Sequence, residues 1–378
     1  MEVPRTLLVT NDYPPRVGGI QRTLEALVRQ LPPDQVSVLC PGWEGAEAFD
    51  AAMPYRVFRQ RESFLWPTRE VLERILDAVR EGRAEVVLFG ATYPLALLGP
   101  YLAKRGIPYV SAAHGFEYWL SLAPGTHALM RRATSRASRV AVMCSRFIAR
   151  VVRTAVPDDV QVSVMYPGAD LEAFRPDLPV EDLLERHGLR GRRVVVCVSR
   201  LVARKGQDVL IRAMGSIDRR APDTALLIVG DGPYRETLER MAGELAPPGS
   251  VVFAGQVSEE DLPRYYRAGD VFAMPCRNRL AGFEVEGWGN VFVEAAACGR
   301  PVVVGDSGGA RETLVDGQTG ILVRGSDVSE VADAVASLLA DPARAEAMGR
   351  AGRERVEREF TWPRAAAQLA GWLRVAAR

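Results

Sequence analysis

No stretch of the 378 residues approaches the roughly 18 to 20 consecutive apolar residues that a membrane span needs, so a chain integral to a bilayer is excluded. Cysteine is scarce and unpatterned. Cys40, Cys144, Cys197, Cys276 and Cys298 are odd in number and form no CxxC pair, the signature of buried free thiols in a reducing compartment. The opening MEVPRTLLVTNDYPP has an apolar stretch too short for a signal peptide and an early acid, so a cytoplasmic protein is expected. Net charge is +1, and no global field selects a nucleic-acid partner. Acid is also missing locally. Between Tyr118 and Pro157 there is no Asp or Glu, yet seven arginines occur: Arg131, Arg132, Arg136, Arg139, Arg146, Arg150 and Arg153.

What the chain does have is alternation. Hydrophobic residues make up 48% and charged residues 25%, a soluble globular balance, and the length predicts two domains. In the first half the runs TLLVTN, QVSVLC, EVVLFG, PYVSAA, RVAVMC and QVSVMY read as strands buried on both faces, with amphipathic helical stretches between several of them. The segment YPGADLEAFRPDLP (166–179), with three prolines and no period, reads as a linker. A second series follows: RRVVVCVS, ALLIVG, VVFAG, VFAMPC, PVVVG and GILV. This α/β pattern predicts doubly wound parallel sheets, with ligands beyond the carboxyl ends of the strands. The expected division is 1–170, 171–358 and a closing helix, 359–378, carrying Trp362, Leu369, Trp372 and Leu373 as a docking face back toward the first domain.

Two stretches of the second half carry chemistry. The strand RRVVVCVS runs into RLVARKGQDVLIRAM, placing Arg200 and Lys205 in a strand-end loop just before a helix that starts near Gln207. Two cations beside a helix amino terminus make an anion site, suited to a phosphate or diphosphate. In EVEGWGNVFVEAAACG, Glu286 and Glu294 are separated by seven residues. Asn290 is expected to cap a helix, with Glu294 one turn inside it. Glu294 then suits the vicinal diol of a ribose, Glu286 suits sugar hydroxyls, and the N–H groups of Gly289, Asn290 and Val291 suit a sugar or phosphate oxygen. Gly287 shares that turn. Gly308, Gly309 and Glu312 in GDSGGARE, and Gly230, Gly232 and Pro233 in VGDGP, read as scaffold.

Taken together, SRLVARKG, VGDGP, MPCRNRLAGFEVEGWGNVFVEAAACGRPVVVGDSGGARETL and DGQTGILV resemble the retaining family 4 glycosyltransferases. Within them, NDYPPRVGGIQ and the MPCRNR…EVEGWG stretch look most like actinobacterial phosphatidylinositol mannosyltransferases that use GDP-mannose. The resemblance implies the GT-B fold, two Rossmann-like domains facing across a cleft, the acceptor on the first and the nucleotide sugar on the second. It implies transfer with retention and no metal cofactor, and no D-x-D motif stands in a suitable loop. Arg200 and Lys205 would then neutralise the departing diphosphate. Gly18 and Gly19 would let the backbone approach the donor's diphosphate, and Asp12 would face the acceptor. His114, at the end of PYVSAAH, would contact the transferred sugar. The backbone from Gly255 to Val257 would read the base.

The arginine excess has two readings, a solvated face balanced elsewhere or a patch for anionic lipid headgroups. Arg132, Arg136 and Arg139, and again Arg146, Arg150 and Arg153, fall at helical spacing. SFLWP adds an apolar contact, so a peripheral place on the inner face of the membrane is favoured. The alternative in substrate terms is a UDP-sugar donor with a soluble natural-product or polyol acceptor. A nucleotide-binding protein without activity is disfavoured by the intact set Arg200, Lys205, Glu286 and Glu294. A nucleic-acid binder is disfavoured by the charge balance and the lack of aromatics interleaved with those arginines.

Overall fold

A computed structural model describes residues 2–378. The chain divides into two compact units, Met1–Pro167 with Trp362–Arg378, and Gly168–Thr361.

In the first unit, seven strands are introduced in chain order: β1 (Thr6–Val9), β2 (Val36–Cys40), β3 (Arg56–Arg59), β4 (Val86–Phe89), β5 (Tyr109–Ala113), β6 (Arg139–Val142) and β7 (Gln161–Val164). They form one sheet in the order β3-β2-β1-β4-β5-β6-β7, and every recorded pairing is parallel. The inner strands are buried on both faces, which is why their sequences lack alternation. The pattern RVFR hid β3: it is a half-exposed edge strand with arginine at each end, the composition that discourages further pairing. The closing helix Trp362–Ala376 belongs to this unit. Its Ala365, Ala366, Leu369, Ala370 and Leu373 join the core that Leu8, Leu24, Leu27 and Val110 build.

The second unit holds β8 (Arg193–Val198), β9 (Thr224–Val229), β10 (Val251–Gly255), β11 (Val271–Met274), β12 (Val302–Gly305) and β13 (Gly320–Val323). Their order is β10-β9-β8-β11-β12-β13, again all parallel. One hydrophobic core runs through this unit, from Val180 to Met348. In each sheet the chain winds one way and then the other from a central strand, β1 in the first and β8 in the second. The loops leaving those two strands therefore stand at topological switch points, where a doubly wound sheet leaves a crevice. All five cysteines are buried and none forms a disulfide. Among the described residues no helix is long and apolar enough to cross a membrane.

Two expectations need correction. β1 closes at Val9, so Thr10 and Asn11 already belong to the turn. The helical spacing of Arg132, Arg136 and Arg139 is not realised. The helix Pro124–Thr134 ends first, Arg136 takes φ 72°, and Arg139 opens β6.

Candidate functional site

At the carboxyl end of β8 the chain makes a short 3-10 turn, Ala203–Lys205, and enters the helix Gln207–Arg220 through Gly206. Gly206 has φ 81°, and a Cβ there would stand 2.1 Å from the carbonyl oxygen of Pro275. Only glycine satisfies both conditions. The turn brings Lys205 inward. Its Nζ lies 2.6 Å from Glu286 Oε2, and an Nη atom of Arg204 lies 2.8 Å from the same oxygen. Burial alone would raise the Glu286 carboxyl, but Lys205 and Arg204 outweigh it and hold the group below the ordinary glutamate range. The Glu286 backbone is fixed as firmly. Its N–H donates to Ser307 Oγ at 3.0 Å, Ser307 donates to Asn278 Oδ1 at 2.7 Å, and Gly309 N–H donates to the Glu286 carbonyl at 2.8 Å. Gly308 makes room for that carbonyl, since a Cβ on it would approach within 2.2 Å.

Beside this triad, Arg277 donates to both oxygens of Asp208 at 2.9 Å, and Asp208 sits in the first turn of the helix Gln207–Arg220. Arg200 stands exposed, and among the described residues no carboxylate lies at bonding distance from it. Four cations (Arg200, Arg204, Lys205, Arg277) thus face two carboxylates, Glu286 and Asp208, which leaves net positive charge at a strand end. Of this cluster the sequence reading named Arg200, Lys205 and Glu286, and the structure adds Arg204 and Arg277. Arg204 adjoins Lys205 in the same turn, a signal that was legible. The Arg277–Asp208 pair spans 69 residues and had none.

The helix Asn290–Ala297 follows, and its cap is Gly289, with φ 90°, in place of the expected Asn290, which is the first helical residue. The exposed N–H groups of its first turn still point away from the helix body. Glu294 lies one turn inside. Its Oε2 accepts a 2.5 Å hydrogen bond from the Tyr266 hydroxyl, a partner no pattern announced. Burial, and then the Glu294 charge, raise the Tyr266 phenol well above its usual range, so it remains a donor. Gly287 has open space where a Cβ would be. Gly255 ends β10 with φ 73°, its carbonyl accepts from Gly230 N–H at 2.7 Å, and Val257 is half-buried against the core. In VGDGP, a Cβ on Gly230 would stand 2.1 Å from the Ser199 carbonyl, and one on Gly232 would stand 2.4 Å from that of Leu201. These glycines let one loop lie on the next.

The first unit has its own strand-end site. A cavity of about 450 Å³ opens beyond β1, β4 and β5, lined among others by Asp12, Arg16, Phe64, Trp66, Tyr93 and Phe116. Asn11 builds one wall. Its amide donates to the Leu65 carbonyl at 3.0 Å and accepts from the Leu65 N–H at 2.7 Å. Leu65 is thereby buried, and its neighbours Phe64 and Trp66 turn to the cavity with ring centroids 4.8 Å apart. The Tyr13–Pro15 turn is anchored from below. Tyr13 shares a 2.6 Å hydrogen bond with Tyr55, and Arg59, ion-paired to Asp50, donates to the Pro14 carbonyl at 2.8 Å.

The two glycines behave differently. Gly18 precedes the helix Gly19–Arg29, and a Cβ on it would stand 2.2 Å from Gln21 Oε1. Gln21 in turn donates to Asp12 Oδ1 at 2.9 Å, so Gly18 admits the side chain that orients Asp12. Gly19 has nothing within 4 Å of its Cβ position. His114 lies at the end of β5, half-buried, with Nε2 2.7 Å from the Gly90 carbonyl. A carbonyl only accepts, so Nε2 carries the proton and Nδ1 is left as an acceptor. Burial lowers the pKa of this imidazole and favours the neutral ring. Glu117 is consumed by backbone, accepting from His114 N–H at 2.9 Å and Thr92 N–H at 3.2 Å.

Comparisons with known proteins fit this architecture. The family model Glycosyltransferase Family 4 matches residues 17–173, and Glycosyl transferases group 1 matches residues 180–355. The chain is 46% identical, over 96% of its length and 97% of the relative's, to the GDP-mannose-dependent alpha-(1-6)-phosphatidylinositol monomannoside mannosyltransferase of Mycolicibacterium smegmatis. It is 44% identical to the Mycobacterium tuberculosis protein of the same name, over 98% of both chains. Among solved structures, Anabaena HepE in complex with UDP superposes with a TM-score of 0.80 at 20% identity, covering 98% of this chain and 99% of that one. That likeness concerns the fold, which is GT-B.

Proposed function

The chain belongs to glycosyltransferase family 4, and from that premise we propose that it transfers mannose from GDP-mannose to a hydroxyl of a phosphatidylinositol mannoside. The observation that carries this reading is the cation surplus at the carboxyl end of β8, built from Arg200, Arg204, Lys205 and Arg277. When the bond from the sugar to the diphosphate breaks, negative charge builds on the diphosphate. Fixed guanidinium and ammonium groups, with the N–H groups at Gly289 to Val291, stabilise that charge without reorganising. In this reading they take on the task a metal ion performs elsewhere. Glu286 positions Lys205 and Arg204, and its role toward sugar hydroxyls falls to the carboxylate oxygen those cations leave unbonded. Glu294, steadied by Tyr266, accepts from the ribose diol, and the backbone near Gly255 and Val257 meets the base.

The relatives' names give an alpha linkage in the product. The mannose of GDP-mannose is itself α-linked, so the transfer retains configuration. A leaving phosphate oxygen that takes the acceptor proton on the same face needs no separate base. Asp12 and His114 then position the acceptor hydroxyl and the sugar, His114 through its Nδ1 lone pair. The UDP-sugar alternative has no observation in its favour: the UDP-bound likeness stands at 20% identity and speaks for fold alone. The test is a donor panel of GDP-mannose, UDP-glucose and UDP-N-acetylglucosamine against a phosphatidylinositol mannoside, in the presence of a chelator. Product from GDP-mannose alone, undiminished by chelation, is the expected outcome. Product from a UDP-sugar only would overturn the donor, and rates abolished by chelator would overturn the metal-free reading.

The same reading places the chain at an anionic membrane surface. Of the seven arginines, Arg139 stacks on Trp372 at 5.2 Å and Arg153 is spent on the carbonyls of Val156, Pro157 and Val160. Arg131, Arg132, Arg136, Arg146 and Arg150 remain exposed, in the same unit as exposed Phe116, Trp119, Leu122 and Leu129. Each cation near a charged leaflet contributes about 1 kcal/mol. Co-sedimentation with phosphatidylinositol-containing vesicles at low salt, lost in high salt, is expected, and no pelleting at low salt would end the idea.

A further inference from the structure

We propose that Arg16 binds the phosphodiester of the acceptor and so selects phosphorylated inositol acceptors over phosphate-free ones. This rests on the phosphatidylinositol mannoside reading given above. The cavity beyond β1 holds three charged side chains, Asp12, Arg16 and Glu117. Two of them are engaged by the protein itself: Asp12 by Gln21, and Glu117 by two backbone N–H groups. Arg16 is not. Among the described residues no carboxylate lies at salt-bridge distance from it, and it makes no hydrogen bond to the protein. Its guanidinium carbon instead lies over the Trp43 ring, 5.3 Å from the centroid. A cation–π contact consumes none of the guanidinium N–H donors, and those donors match the two unesterified oxygens of a phosphodiester.

The contrast with the paired arginines of this unit supports the assignment. Arg59 is neutralised by Asp50, Arg74 by Glu62 and Glu70, and Arg56 by Glu81. Arg16 alone among these sits at a cavity wall, half-buried, on a turn whose neighbour Pro14 is tied down by Arg59. A cation held in place beside a cavity with no internal counter-ion is matched to an anion that arrives with the ligand. Four of the other lining residues, Phe64, Trp66, Tyr93 and Phe116, are aromatic. They suit the apolar faces of a cyclitol ring and the glycerol end of a lipid. The acceptor's diester lies a few bonds from its ring hydroxyls, and one cavity carries both Arg16 and Asp12.

The experiment uses two water-soluble acceptors, a deacylated glycerophosphoinositol mannoside and the corresponding inositol mannoside without phosphate, which removes any contribution from vesicle binding. The readout is the ratio of kcat/KM on the first to that on the second, with GDP affinity measured separately by calorimetry. In the native protein the ratio should lie well above one. Arg16→Ala and Arg16→Gln should shrink it about ten- to a hundredfold, the span of a lost charged hydrogen bond, through KM for the diester. Arg16→Lys should restore part of it, and it decides the case should the truncations fail to fold. A ratio that stays at the native value in all three variants overturns the assignment. So does a fall in GDP affinity that matches the loss of activity, because Arg16 would then serve the donor's diphosphate. A native protein that mannosylates neither soluble acceptor, nor a lipid-linked phosphatidylinositol mannoside run beside them, removes the parent reading instead, and the two failures are thereby told apart.

Discussion

The carboxyl ends of the two parallel sheets solve different problems. Beyond β8 the surface is built of charge, with Lys205 and Arg204 sharing Glu286 and Arg277 gripping Asp208. Beyond β1 it is built of rings, with Phe64, Trp66, Tyr93 and Phe116 around one cation. In the proposed reaction the charged end serves a ligand whose charge changes, so its cations must be fixed before the event. In the same proposal the aromatic end serves a ligand that must be recognised and oriented, a task that shape and a few polar contacts perform. The same doubly wound topology carries both, because the strands supply only position and the loops supply chemistry.

The largest effect is expected at Lys205. Lys205→Ala should lower turnover about a hundred- to a thousandfold, the scale of losing a charge partner in a transition state. Initial rates at saturating substrates measure it, and a near-native rate would end its role. Next comes Glu294. Glu294→Ala should weaken GDP binding about ten- to a hundredfold, and Tyr266→Phe, which removes only the 2.5 Å bond, about three- to tenfold. Calorimetry with GDP ranks them, and a reversed order would separate Tyr266 from Glu294's function.

The pH response sharpens the charged end further. The folded Glu286 carboxyl titrates below its ordinary 4.5, so on acidification the unfolded chain takes up the proton first. The stability it contributes is in place above pH 4.5 and is lost as pH falls through the lower folded value. Melting midpoints from pH 7 to pH 3 should therefore fall less steeply for Glu286→Gln than for the native protein, and parallel curves would contradict the pairing. The smallest effect belongs to the aromatic end. Trp66→Ala should raise the acceptor KM about three- to tenfold with GDP affinity unchanged, since one wall of the cavity is lost and no charge moves.

Legibility follows the same divide. Twelve of the thirteen strands announce themselves as apolar runs, and the exception, β3, is an edge strand whose arginines mask it. Lys205 and Glu286 were found because their loop motifs sit at strand ends. Their 2.6 Å contact, across 81 residues, was not foreseeable. Asn290 was misread as a cap because its side chain suits one, whereas the backbone turns through Gly289 in a conformation that disfavours other residues. Gly18 was assigned to ligand approach, and it accommodates Gln21.

By itself the sequence determined the two parallel sheets, the loops that leave β1 and β8, and the residue types those loops carry. Hydrophobic period and turn chemistry act over a few residues, so they can be read along the chain. Tertiary structure alone decided which charges are spent and which are left for a ligand. Glu286 is shared by two cations, Glu117 is absorbed by backbone, and Arg16 stands without a counter-ion, because pairing depends on distances between residues far apart in sequence.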